Sequence, residues 1–442
     1  TRTGPGTPCG DLMRRYWQPV ALAEELPVGG APLPVRLLGE DLVLFRTPGA
    51  SPLEGRGQGE GSNIGLLNVH CSHRGADLSY GRLEDGGLRC IYHGWLYDIY
   101  GRCLEQPGEP AGSSFHEKIR HTAYPCLERA GAIFAYLGPG QPPEFPNYEF
   151  LSKCNQNAKA WKYYHECNYL QAHEGNVDLA HLHFLHYQRG QDETQNGVRD
   201  SERLRHRGMV PGILACPFVT TPYGVRSGRV CGSPDFEGQV MYATEFVLPS
   251  FTAVPNDRVS DARDQDGYFV LWHVPIDDTH HWKFYFDYSR RGLIKRGPRT
   301  ETVDHRPVRD ARNRYGQDRE EMADRSYAGM GQDFVVHDKW ATEGQGAVQD
   351  RTGEHLGAGD QAVVAARQVL LKAIQDLQRG REPANVVRDP DCNHLPIAPF
   401  IVQVARGTDW EAYGRYVEQL AGPDGEWTHR DGNQVEPLTS AS

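Results

Sequence analysis

Four residues in one short stretch restrict this chain more than anything else in it. Cys71-Ser-His73 is followed, after sixteen residues, by Cys90-Ile-Tyr-His93 and at once by Gly94-Trp95. Each half offers one thiolate and one imidazole, with one residue between them in the first half and two in the second. Two such halves, brought together by a hairpin-like fold, supply four ligands of mixed softness. In a Rieske [2Fe–2S] centre two His replace two Cys on one of the two irons, which raises the potential above that of an all-thiolate cluster. Cys71 and Cys90 then hold one iron, and His73 and His93 the other. A Cys₂His₂ zinc site uses the same ligand types, but structural zinc motifs pair Cys with Cys and His with His. Alternating Cys-x-His and Cys-x-x-His is a different order, and it favours the Rieske reading over zinc and over coincidence.

At 442 residues the chain is long enough for two or three domains. Before the motif, period-2 alternation predicts strands at 34–38, 41–45 and 65–69; Thr7-Pro8 and Asp11 to Trp17 predict a capped opening helix. Further strands fall at 87–91, 96–99 and 133–137, and the stretch from Thr47 to Asn63, rich in Gly, Ser, Pro and Glu, is a loop. Residues 1–150 therefore form an all-β domain that carries the cluster, with the Pro-rich Gly138–Pro146 segment as boundary. In residues 151–442, Trp161 to about His186 reads as helix interrupted at Gly175. Strand patterns follow at 240–247, 268–273 and 282–288, then a charged connection over 290–325 and a helix over Gln361–Arg379 ended by Gly380. Helices around an antiparallel sheet make this second domain, and the chain as a whole, α+β.

Composition narrows the function. A net charge of −11 argues against a nucleic-acid partner, which wants a basic face. No apolar run approaches the ~18 residues that cross a bilayer, and the first residues lack an apolar signal core, so a cytoplasmic protein is expected. Ten cysteines show no disulfide density, and those outside the motif read as buried or incidental thiols in a reducing compartment.

A second cluster of metal-ligand residues lies in Glu174-Gly-Asn-Val-Asp178-Leu-Ala-His181-Leu-His183-Phe-Leu-His186. On an ideal helix Asp178 and His181 lie about 60° apart and share a face, whereas His186 lies about 140° from His181. The two imidazoles converge only if the helix distorts or ends between them. His183 points away and reads as a packing residue or a support to the ligands. Two His plus one carboxylate on a facial triad leave open positions for dioxygen on a non-haem Fe(II). The carboxylate candidates are Asp333 and Asp338, with Asp360 a weaker one. Against this stands a solvated helix carrying ordinary core histidines.

With both motifs in view, the chain resembles the large oxygenase subunit of Rieske non-haem iron ring-hydroxylating oxygenases, most of all the phthalate 4,5-dioxygenase-like members. The resemblance runs from Gly4-Pro-Gly-Thr-Pro and Asp11 to Trp17, through both Cys/His halves and Asn168 to His181, to Asp350-Arg-Thr-Gly-Glu-His-Leu-Gly357. The family pattern Asp-x₂-His-x₄-His falls on Asp178, His181 and His186, which implies that the two histidines bind iron. The family's remote aspartate precedes a Glu by five residues, which selects Asp338, before Glu343. The resemblance also implies that Asp178 bridges His93 of one chain to His181 of the next in a head-to-tail trimer.

The function this implies is terminal oxygenation of a small aromatic substrate, an aromatic carboxylate such as phthalate or benzoate, by cis-dihydroxylation. A monooxygenase or O-demethylase of a methoxylated aromatic acid shares every motif. A pure electron-transfer Rieske protein or a zinc-stabilised binding protein is the reading from another class. There is no Gly-x-Gly-x-x-Gly after a strand and no ferredoxin cysteine spacing. Electrons are therefore expected from a separate NAD(P)H-dependent flavin/iron-sulfur reductase docking near the His73/His93 edge. The pocket is expected from the Val210–Phe251 strands and the helix after Asp178. Arg207, Arg226 and Arg229 are candidate carboxylate forks, and Asn168 is placed near the iron.

Overall fold

The computed structural model describes residues 1–48, 63–152, 157–187, 213–232, 238–256, 265–292, 294, 297–393 and 395–421. Arg207, the start of the expected pocket strands at Val210 and nearly all of the Thr47–Asn63 loop lie outside the described residues, as does the His183 side chain. The chain divides into two units: residues 1–145 with 274–278, and residues 146–273 with 279–442.

Among its described residues the first unit has three small antiparallel sheets after a short helix. That helix, Pro8–Met13, starts where the Thr7 hydroxyl accepts the Gly10 N–H and where proline's missing N–H costs nothing. Strands Leu33–Leu37, Glu40–Arg46, Ile64–Asn68 and Ala123–Tyr124 make one sheet. Arg82–Glu84, Gly87–Arg89, Leu96–Tyr97 and Cys103–Glu105 make another, and Gln18–Leu22, Ala132–Ala135 and Cys126–Arg129 the third. Val43, Phe45, Leu67, Leu78, Leu88, Trp95, Tyr97 and Ile99 pack into one apolar cluster that also contains Cys71 and Cys90. The cysteines of the motif thus sit inside a core.

The second unit is organised on a nine-stranded sheet, antiparallel in every registered pair. Its path runs Ala158–His165, His281–Ser289, Gly267–Pro275, Phe251–Pro255, Gly238–Val247, Gly224–Gly232 and Ile213–Ala215. Phe218–Thr221 and Phe400–Ala405 attach to the sides of that path. Ala158–His165 corrects the expectation of one helix over 161–186. Its aromatics Trp161 and Tyr163 alternate onto one face and pack on Leu271 and Tyr285, which a helical period would not allow. Helix resumes only at Tyr169–Val177.

The two faces of the sheet carry different loads. On one face the Trp410–Leu420 helix packs on Val230, Met241, Ala243, Phe400 and Val402. On the other, His173 of the Tyr169–Val177 helix stacks on Phe246 at 4.4 Å, and Ser227 donates to the Val177 carbonyl at 3.4 Å. Phe334–Glu343 and Gln361–Gln378, the latter ending before Gly380, pack against the same helix, where Arg367 grips Glu174 through two 2.8 Å contacts. Between Ser289 and Phe334 the charged connection holds a short hairpin, a 3₁₀ segment and the Arg319–Asp324 helix.

Candidate active site

The two Cys/His halves fold into matching loops. Gly75 donates its N–H to the Cys71 carbonyl at 2.8 Å, and Gly94 does the same to Cys90 at 2.9 Å. Both glycines have positive φ, +74° and +77°, and a side chain on Gly94 would press on Pro107 at 3.1 Å. A glycine four residues after each cysteine is therefore what lets each loop close. The Cys71 and Cys90 thiols are buried and face each other; burial, reinforced by Cys71, pushes the Cys90 thiol up. Tyr97 hydroxyl lies 3.2 Å from the Cys71 sulfur. His73 and His93 stand on the outer side, ring centroids 4.4 Å apart, with His73 stacked on Trp95 at 4.5 Å. Two inner thiols and two outer imidazoles fit a [2Fe–2S] cluster, in which the thiols would hold one iron and the imidazoles the other.

The second constellation forms where a helix stops. Tyr169–Val177 ends at Asp178, whose ψ of 104° is extended, and the chain turns through a 3₁₀ segment at His181–His183. The ideal-helix angles therefore do not apply, and the turn swings His181 and His186 toward each other. Their Nε2 atoms lie 3.7 and 3.0 Å from Asp338 Oδ1, which arrives on the Phe334–Glu343 helix. One ligand atom from each of His181, His186 and Asp338 falls within 4.8 Å of the others. Burial alone would raise the Asp338 carboxyl, but His186, Lys283 and His181 hold it well below the ordinary range. Burial lowers His181, which Asp338 partly offsets. A lowered imidazole at His181 and an ionised carboxylate at Asp338 agree with what binding of a divalent metal requires. The set fits a mononuclear Fe(II).

The rest of the expected residues separate sharply. Asn168 is fully buried but caps the N-terminus of the Tyr169–Val177 helix, accepting the Leu170 N–H at 3.0 Å. It stands at the opposite end of that helix from Asp178, about 15 Å away by helical rise, and its amide oxygen is used as a cap. Asp333 likewise caps the Phe334–Glu343 helix, and Asp360 stands at the start of the Gln361–Gln378 helix, accepting the Gly357 N–H. Arg226 is corrected from a substrate fork to a structural residue. Its guanidinium is buried and spent on Glu245 and Glu418, both at 2.7 Å, and on the Tyr223 hydroxyl. Arg229 is three residues on, so it faces the opposite side of the sheet, the side of Ser227 and the Asp178 helix end. There it lies over the Tyr242 ring at 5.3 Å, and the Cys216 thiol feels both Arg229 and Asp178.

Two family models match this chain: the Rieske [2Fe–2S] domain over residues 16–123, and the LigXa C-terminal domain-like family over residues 135–429. The chain is 33% identical over 439 residues to the phthalate 4,5-dioxygenase oxygenase subunit of Pseudomonas putida, covering 93% of each. The chain belongs to the Rieske non-haem iron oxygenases. It is 32% identical to the 5,5'-dehydrodivanillate O-demethylase oxygenase subunit of Sphingobium sp. (90% of this chain, 84% of the relative). It is 42% identical over 292 residues to the tert-butanol monooxygenase / tert-amyl alcohol desaturase oxygenase subunit of Aquincola tertiaricarbonis (63% and 57%). The fold matches that of dicamba monooxygenase bound to dicamba, at a TM-score of 0.56 and 18% identity, over 84% of this chain and 99% of the other. This oxygenase therefore carries a Rieske [2Fe–2S] cluster and a mononuclear non-haem iron.

Lys283 and His337 of the oxygenase site escaped the sequence reading, and Glu343 entered it only as a marker for Asp338. Lys283 is buried with its ammonium 3.9 Å from Asp338 Oδ2 and 5.4 Å from the Tyr285 ring. It is brought there by the pairing of His281–Ser289 with Ala158–His165, and no local pattern announces that. Glu343 binds Lys339, accepts the Tyr315 hydroxyl at 2.8 Å and accepts the Glu166 N–H at 2.7 Å. The Glu that marked Asp338 in the sequence is thus the clamp that ties the Asp338 helix to the end of the Ala158–His165 strand. His337, next to Asp338, contacts His186; its neighbour in sequence was the only signal available.

Proposed function

We propose that this chain is the terminal component that hydroxylates an aromatic carboxylate with O2 and electrons from a separate NAD(P)H-dependent flavin/iron-sulfur reductase. The observation that carries it is the convergence of His181, His186 and Asp338 in a chain whose first unit presents a Cys₂His₂ Rieske donor set. In this reading Cys71, Cys90, His73 and His93 hold the cluster and the other three hold iron. When bound, the cluster supplies single electrons and the Fe(II) supplies open positions for dioxygen chemistry. Relatives named for phthalate and for a dehydrodivanillate support an aromatic acid as substrate. Arg229 is the proposed carboxylate contact, since it lies on the iron-bearing face of the sheet.

The chain's own residues set the stage for that chemistry. The Asp178 carbonyl accepts His181 Nδ1–H at 2.5 Å, which leaves Nε2 for the metal. The Asp178 carboxylate accepts the Ala180 N–H through Oδ1, and Oδ2 is proposed to accept an imidazole N–H from His93 of a second copy in a head-to-tail trimer. The reductase is proposed to dock near the outer side of the cluster loops at His73, which is exposed. No described helix is long and apolar enough to cross a membrane, and we place the enzyme in the cytoplasm. A monooxygenase or O-demethylase is the second reading, favoured by the demethylase and tert-butanol monooxygenase relatives.

The test compares wild type with His181→Ala, purified anaerobically and reduced with dithionite. Both should show the reduced Rieske EPR signal, and only the variant should lose mononuclear iron. Zinc in place of iron, with no low-average-g signal, would sink the oxygenase reading. Product analysis on aromatic carboxylates then separates a cis-dihydrodiol from a phenol or a demethylated acid.

A further inference from the structure

The two metal-facing imidazoles are held from behind in different ways. His181 gives its Nδ1–H to a backbone carbonyl. Among the described residues no carbonyl stands behind His186. Its Nδ1 instead meets Nδ1 of a third histidine, His337, at 3.1 Å, with the rings 15° from parallel. His337 is fully buried, and its Nε2 lies 3.1 Å from the Gly331 carbonyl. A carbonyl only accepts, so His337 carries its proton on Nε2 and presents Nδ1 as an acceptor. His186 must then carry its proton on Nδ1 and donate it, which leaves Nε2 bare, 3.0 Å from Asp338 Oδ1. One hydrogen bond thereby sets the tautomer of two rings.

The chain of contacts does not stop at Gly331. Its N–H donates to Glu321 Oε1 at 2.7 Å, and Glu321 also accepts the Ser326 hydroxyl; Ser326 Oγ in turn accepts the Gly329 N–H at 3.0 Å. Arg309 donates to the Met330 carbonyl at 2.8 Å. The Met330–Gly331 peptide, which precedes the carbonyl that orients His337, is therefore held at both its C=O and its N–H, and the Phe334 ring closes over His186 at 4.4 Å.

We propose that His337 is a positioning residue that fixes the tautomer and the ring direction of His186 for metal binding, anchored through Gly331 to Glu321. The inference rests on His181, His186 and Asp338 being the iron ligands. Partners behind a metal-bound imidazole govern affinity by about 10- to 100-fold. Gln is the discriminating replacement, because its amide oxygen can accept from His186 while its NH2 donates to Gly331; Leu keeps the bulk and offers neither.

The experiment uses the full chain with its cluster, the mononuclear site emptied with a chelator and titrated with Co(II), read by visible absorption. Wild type, His337→Gln, His337→Leu and His181→Ala are compared, with the reduced Rieske EPR signal reporting that each has folded. Expected are a 10- to 100-fold weaker Co(II) affinity for His337→Leu, recovery toward wild type in His337→Gln, and no binding by His181→Ala. Wild-type affinity in His337→Leu overturns the proposal. So does equal loss in Gln and Leu, since the hydrogen-bond pair would then not be what matters. Full binding by His181→Ala would instead fail the ligand assignment itself, which keeps the two failures apart.

Discussion

At the scale of single residues, the site depends on positions whose side chains never reach a metal. Gly94 is one, because its φ of +77° is left-handed and a Cβ there would press on Pro107 at 3.1 Å. The left-handed conformation costs an L-residue roughly 1–2 kcal/mol, and the strain falls on the loop that presents Cys90 and His93. Gly94→Ala should therefore lower cluster content per chain, measured as the ratio of Rieske absorbance to protein, while mononuclear iron is retained. An unchanged ratio would show that the loop absorbs the strain elsewhere. Asn168 teaches the opposite lesson. Its short amide was legible as functional in a metal-rich stretch, yet Asn is also among the best helix caps, and that is the use the chain makes of it.

Elements decide which of two neighbouring arginines can meet a substrate. Arg226 and Arg229 share the Gly224–Gly232 strand, and an odd separation puts them on opposite faces. Arg226 lies under the Trp410–Leu420 helix and holds Glu245, which is 0% exposed, together with Glu418 of that helix. Removing one partner of such a pair leaves a buried charge and costs about 3–5 kcal/mol. Arg226→Met should accordingly lower the thermal midpoint strongly, with the KM of the surviving enzyme little changed. Arg229→Gln should do the reverse, raising KM for a carboxylate substrate with a small change in stability, as steady-state kinetics beside calorimetry would show. A stable Arg226→Met enzyme with a raised KM would reverse the assignment. The period-2 alternation of this strand was visible in the sequence, but which face met the iron was not, because that depends on where two distant helices dock.

On the scale of the second unit, its interior holds an unusual set of neutral histidines. His165, His173, His273 and His281 are all at most 1% exposed. His281 Nδ1–H donates to the Cys167 carbonyl at 2.8 Å, His273 meets His281 at 3.2 Å, and its other nitrogen meets the Asn176 amide at 2.6 Å. Burial pushes His173 and His281 down to about 3. In the unfolded chain each returns to about 6.5 and takes up a proton below that pH. The unfolded state then binds more protons, so stability is complete above pH 6.5 and is lost as the pH falls toward 3, by up to about 1.4 kcal/mol per pH unit for each residue. The thermal midpoint should drop between pH 7 and pH 5, and less steeply in His281→Asn. Identical slopes in the two proteins would mean that His281 is already protonated in the fold.

Much of this enzyme was settled by its primary structure, and for a local reason. The Cys71–Gly75 and Cys90–Gly94 loops each contain their own ligands and the glycine that closes them, so spacing alone reports the cluster. Strands such as Glu40–Arg46 and the Gln361–Gln378 helix carry their period and caps within a few residues. The mononuclear centre is of another kind. His181 and His186 are 5 positions apart but cannot meet on a helix, and they converge only because the helix stops at Asp178. Asp338, Lys283 and the His337–Gly331 contact come from segments roughly a hundred residues later or further, and the sheet and the packed helices bring them together. Ligand identity is local chemistry; convergence, burial and the choice of tautomer are properties of the tertiary structure, because long-range packing decides which polar atoms lose water and which atoms replace it.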